Sequence, residues 1–127
     1  MLRIRKQQND ALAESTRRSF EDRMVMHLKK CFPEHFKAIE EQGARDLTHY
    51  GIERAGAYGI VAERDVCKYI DLMVIHGPDF DTDDKHPWAG EILNDQAITS
   101  PTDRIERLYD EALARLEKQA EQEGGGA

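Results

Sequence analysis

The longest hydrophobic run in the chain lies between Glu63 and His76, ERDVCKYIDLMVIH, where Val66, Cys67, Tyr69, Ile70, Leu72, Met73, Val74 and Ile75 leave only Lys68 and Asp71 polar before the histidine. This pattern predicts a helix over 63–76 whose C-terminal half is apolar on every side. A helix of that kind is buried, by its own domain or by a partner, and this one is too short to cross a bilayer, which takes about 20 residues. Glu63 and Asp65 suit the positive end of its dipole, and Gly77-Pro78 stops it. Ile70 and Val74 are expected in the core.

Upstream, no glycine or proline interrupts the chain from Ile4 to Cys31, and Phe20, Met24, Leu28 and Cys31 recur at helical spacing. One continuous helix of about 28 residues would be roughly 42 Å long and would overhang a compact domain about 36 Å across. Its first half has only Leu2, Ile4, Ala11 and Leu12 among charges and amides, so residues 1–19 form either a projecting arm or a solvated helix end. A break near Ser15-Thr16 is an alternative, as is one at Ser19, which with Asp22 resembles a capping box.

Pro33 opens a second helix to about Gln42, with Phe36 and Ile39 inward and Gly43 as its C-terminal cap. A third, Ala44 to about Tyr58, places Leu47, Gly51 and Ala55 on one face, where small residues let a neighbour approach closely. Gly56 and Gly59 mark its end. Past the hydrophobic run, His86-Pro87-Trp88 starts a short helix carrying Ile92 and Leu93. Ser100 caps a last one, with Pro101 at its first position and a stripe of Ile105, Leu108, Ala112 and Leu116. No alternating β pattern competes. The expectation is an all-α fold, a single compact helical domain of about six helices over residues 1–123 with a long N-terminal helix, then a flexible glycine-rich tail at 124–127.

Composition changes this picture little. Two cysteines, Cys31 and Cys67, make no disulfide framework. The charged N-terminus lacks the apolar segment of a signal peptide, which points to the cytoplasm. Charge is more informative. The net value is −7, but residues 1–32 hold eight Lys or Arg against four Asp or Glu, while the remainder holds ten against 21. An acidic body argues against nucleic acid as a partner.

Four constellations could carry chemistry. Asp79, Asp81 and Asp83 fall at positions 1, 3 and 5 of a calcium loop, yet Asp84 stands where a glycine is needed and Gly90 where a bidentate Glu belongs. A structural turn with an acidic rim is the simpler reading. His27, Cys31 and His35 would face one way for zinc on an unbroken helix, but Pro33 interrupts it and no fourth ligand stands at a recognisable spacing. Cys67 within an apolar helix reads as a small core residue rather than a nucleophile. The carboxylates Glu63, Asp65 and Asp71 are expected to cap the helix or to pair with Arg54, Arg64 or Lys68. No catalytic residue, metal site or cofactor is therefore expected.

Four phrases, FEDRMVMHLKKCFP from Phe20, YGIVAERDVCKYIDLMVIHGPDFD from Tyr58, HPWAGEIL from His86 and RIERLYDEAL from Arg104, resemble in their order a family of small bacterial proteins encoded beside type VI secretion effectors and their dedicated chaperones. The resemblance spans most of the chain from Phe20 to Leu113. It implies a non-enzymatic, cytoplasmic co-chaperone that binds an effector-specific chaperone and, through it, a toxin effector. Competing expectations are a calcium-binding regulator built on the Asp79–Asp84 turn and a generic helical interaction module. Leu2, Ile4 and Leu12 of the arm are the first candidates for partner binding, and an apolar ridge of Tyr69, Leu72 and Met73 is the alternative.

Overall fold

The structure, a computed structural model, describes the backbone of residues 2–125 and the side chains of residues 14–122. The described chain is all-helical: α1 (Leu2–Cys31), α2 (Pro33–Ala57), α3 (Glu63–His76), α4 (Pro87–Leu93) and α5 (Pro101–Gly125). It divides into two compact units, Met1–Tyr50 and Gly51–Ala127.

In the first unit α1 runs through Ser15, Thr16 and Ser19 without a break, and the Ser19 carbonyl accepts a hydrogen bond from Arg23 Nε at 3.3 Å instead of starting a new cap. Phe20, Met24 and Leu28 are buried as their spacing predicts, joined by Val25, whereas Cys31 is exposed at the end of the helix. α2 covers the two predicted helices, which join at a kink. Its backbone is interrupted at Glu40 (φ 62°, ψ −176°), three residues before the predicted cap at Gly43, and helix resumes to Ala57, so the described residues form five elements, one of them kinked, where six helices were expected. The kink explains the glycine in another way. A Cβ on Gly43 would lie 2.7 Å from Ile39 Cβ, closer than two carbons approach without displacement.

In the second unit α3 has the predicted bounds, and α3 and α4 both pack against α5. Val66, Tyr69, Ile70, Leu72 and Met73 are buried together with Ile60, Phe80, Trp88, Leu93, Ile105 and Leu108. The end of α2 meets α3 at Gly51, where a Cβ would fall 2.5 Å from Ile70 Cγ1 and 3.1 Å from Met73 Sδ. The expectation that α3 is apolar on every side and buried throughout needs correction, since Val74 is half-buried and Ile75 is 38% exposed. Conversely Asp65 is buried, and its Oδ2 accepts a hydrogen bond from Thr102 Oγ1 at 2.6 Å, which ties the first turns of α3 and α5 together.

Two further devices hold this unit. Ser100 caps α5 as predicted, its Oγ accepting the Asp103 amide at 3.3 Å. From the first turn of the same helix Arg104 donates to the carbonyls of Tyr58 (3.0 Å) and Ile98 (2.6 Å), clamping the two loops that precede α3 and α5. Gly59 turns the chain out of α2 at φ 78°, a left-handed conformation that glycine adopts without a Cβ penalty.

Candidate functional site

The sequence-derived binding candidates separate sharply. Leu2, Ile4 and Leu12 lie outside the described side chains. Tyr69, Leu72 and Met73 are fully buried, so the proposed ridge on α3 is core rather than a docking surface. The reason is that α3 meets the end of α2 on one side and α5 on another, which leaves Ile75 as its exposed large hydrophobic residue.

The acidic turn also differs from a ligand loop. Asp81 points inward with no exposed side-chain surface; its Oδ2 accepts hydrogen bonds from Arg54 and from the Tyr58 hydroxyl, the latter at 2.7 Å. Asp83 Oδ1 accepts the Lys85 amide at 2.9 Å, closing a local turn. Among the described residues the carboxylates of this turn form no set of three within ligand reach of one another. The Asp81 bond holds the Arg54 guanidinium more firmly protonated than an ordinary arginine. Burial, together with the bond to Asp81, pushes the Tyr58 hydroxyl up to about 12, and burial followed by the Asp81 charge raises Tyr69 as well. A carboxylate buried in this way is costly without partners. Asp81 is the keystone that fastens the turn to the end of α2.

His27 and Cys31 do come together, with Sγ 3.7 Å from Nδ1. The helix ends at Cys31, and among the described residues no ligand set joins them to His35.

The feature that sequence reasoning missed lies in the first unit. Glu14, Arg17, Arg18, Glu21 and Asp22 recur at three- and four-residue steps on α1, which places them along one face, and Arg45 and His49 stand one turn apart on α2. These seven side chains line an open groove of about 430 Å³. Glu21 forms its floor. The carboxylate is 11% exposed; Oε1 accepts from Arg45 at 3.0 Å and Oε2 lies 2.8 Å from His49 Nε2. Arg45 also reaches Asp22 at 2.9 Å and Glu41 at 3.6 Å, and its bonds to Glu21 and then Asp22 raise its affinity for its proton.

Both oxygens of Glu21 are therefore engaged. Arg17 and Arg18 are exposed on the groove wall and offer forked donors of the kind that recognise carboxylates. Alternating fixed charges of this sort set orientation and association rate at protein interfaces. The stripe on α1 was visible in the sequence. Its pairing with Arg45 was not, because the partners are 24 residues apart.

No helix among the described residues is long and apolar enough to cross a membrane. No protein-family model, no curated protein and no solved structure matches the chain.

Proposed function

We propose that this protein is a non-enzymatic adaptor in the cytoplasm of the producing cell, a co-chaperone that binds an effector-specific chaperone and helps load a toxin effector for type VI secretion. The observation that carries the reading is the groove of the first unit, walled entirely by charged and histidine side chains with Glu21 held at its floor. The surface is built to orient a charged protein segment, and the resemblance carried by the four phrases supplies the kind of partner. Reversing charges on such a wall sets like charges against each other across the interface, which suppresses association.

The test is co-purification from the native operon with the parent chain and with Arg17→Glu/Arg18→Glu. Recovery of a chaperone with the parent and its loss from the charge-reversed variant, at unchanged thermal stability, supports the adaptor. A parent chain that purifies alone, and whose deletion leaves secretion of the neighbouring effector unchanged, overturns it.

A further inference from the structure

His76, His86 and Trp88 come from three places in the second unit: the last turn of α3, the residue preceding α4, and α4 itself. Their rings meet. The imidazoles of His76 and His86 have centroids 4.9 Å apart, and Trp88 lies edge-on to both, at 5.5 Å from His76 and 6.1 Å from His86. Phe80 closes one side at 6.5 Å from His76, and the Arg115 guanidinium of α5 sits over the Trp88 ring at 5.0 Å. His76 Nε2 is buried and finds no hydrogen-bond partner among the described residues. Two titratable rings are thus pressed together against an indole whose other neighbour is already a cation.

We propose that this cluster is a proton-operated latch: with neutral imidazoles it holds the end of α3 against the start of α4, and protonation of His76 expels that ring and loosens the packing around Trp88. The Gly77–His86 segment has a second anchor in Asp81, bonded to Arg54 and Tyr58, so release is confined to one end of the turn.

Burial, and then the neighbouring His86, lower the proton affinity of His76 below that of an ordinary histidine. A lowered value means that the folded state holds the neutral ring, so the stabilisation is complete above about pH 6.5 and is lost as pH falls through the folded value. The surrounding charges agree. The turn carries Asp79, Asp83, Asp84 and Lys85, and α4 carries Glu91, but the charge acting on His76 is that of His86. From α5, Arg115 is bridged to Glu111 at 2.9 Å.

Trp88 is the only tryptophan in the chain, so its emission maximum and its quenching by acrylamide report this cluster alone. The full-length protein is titrated between about pH 7.5 and 5.5, above the ordinary range of carboxylates, with far-UV circular dichroism in parallel. The expected result is a red shift and increased acrylamide access on acidification, at near-constant helicity, with a midpoint below about 6.5. His76→Phe keeps a ring and removes the proton site; it is expected to abolish the transition. His86→Gln removes the like charge and is expected to move the midpoint upward, a response that a purely structural role would not give. Should His76→Phe fail to fold, the direction of the His86→Gln shift decides. No spectral change in the parent overturns the latch, as does a transition that persists in His76→Phe or a midpoint unmoved by His86→Gln.

Discussion

Replacing Gly51 by alanine tests the packing on which the second unit is built. In isolation the change should stabilise a helix interior by about 1 kcal/mol. Here the new methyl would stand 2.5 Å from Ile70 Cγ1, with Ile70 Cδ1 and Met73 Sδ both at 3.1 Å, where ordinary carbon contacts begin near 3.5 Å. Cγ1 moves only by rotation of χ1, which in a helix holds isoleucine to one strongly preferred rotamer, and Ile70 and Met73 are almost fully buried. The backbones of α2 and α3 must therefore separate. Overpacking of this kind costs about 1 to 3 kcal/mol, and an overlap of this size belongs at the upper end, so the net effect after the propensity gain is a loss of about 1 to 2 kcal/mol.

Ile70→Ala alone should cost about 2 to 5 kcal/mol through the cavity it leaves. In the double variant the alanine methyl enters that space, so the two losses should fall short of additive by about 1 kcal/mol or more. Urea unfolding followed by Trp88 fluorescence and far-UV circular dichroism measures all four corners of the cycle. A Gly51→Ala protein more stable than the parent, or strict additivity in the double, would refute the close approach.

Glu40 sits at a positive φ with an extended ψ, a region open to little but glycine, at a cost of about 1 to 3 kcal/mol; Glu40→Gly is expected to raise the unfolding midpoint, and a lowered midpoint would show that the kink is not strained. Arg54→Met strands the buried Asp81 carboxylate on Tyr58 alone and should cost about 2 to 3 kcal/mol, below the full value for a buried pair because Arg54 is 30% exposed. Adding Asp81→Leu should recover much of that loss by thermal denaturation, whereas a double variant worse than the single would contradict the pairing. Because Tyr58 holds its proton up to about 12 in the folded chain and releases it near 10 when unfolded, stability should fall as pH rises through this window. Tyr58→Phe should blunt that fall in alkaline denaturation curves; identical curves would remove Tyr58 from the node.

What was legible in the chain is what local chemistry decides. The bounds of α3 follow from its acidic start and from Gly77-Pro78, and α5 begins where Ser100, Pro101 and Asp103 place a cap. The close approach at Gly51 was likewise visible as a small residue on a helical face. The join between the two predicted halves of α2 was misplaced because Gly43 looks like a stop. The chain instead breaks three residues earlier, at a glutamate, and the glycine is needed for the space beside Ile39. Composition records that a glycine is present, not whether conformation or clearance requires it. In the same way the apolar run of α3 exceeds what the fold can cover, so Ile75 stays exposed although nothing in the pattern separates it from Leu72.

The functional surfaces were harder to see because each depends on pairs far apart in the chain. Asp81 read as one carboxylate in a row of four, spaced for a divalent cation, until Arg54 and Tyr58, 27 and 23 residues away, supplied the positive charge and the donor it needs. The internal guanidinium holds Asp81 as an anchor of the turn. Glu21 follows the same logic in the other unit, where Arg45 and His49 saturate both of its oxygens and hold it at the floor of the groove. In both units a carboxylate is fixed by partners from another segment, and its neighbours in sequence remain at the surface: Asp79 and Asp84 on the turn, Arg17 and Arg18 on the groove wall. The fixed groups determine where the exposed ones stand, so removing Glu21 should disturb the geometry of the groove wall, while reversing Arg17 and Arg18 changes its charge and leaves its frame intact.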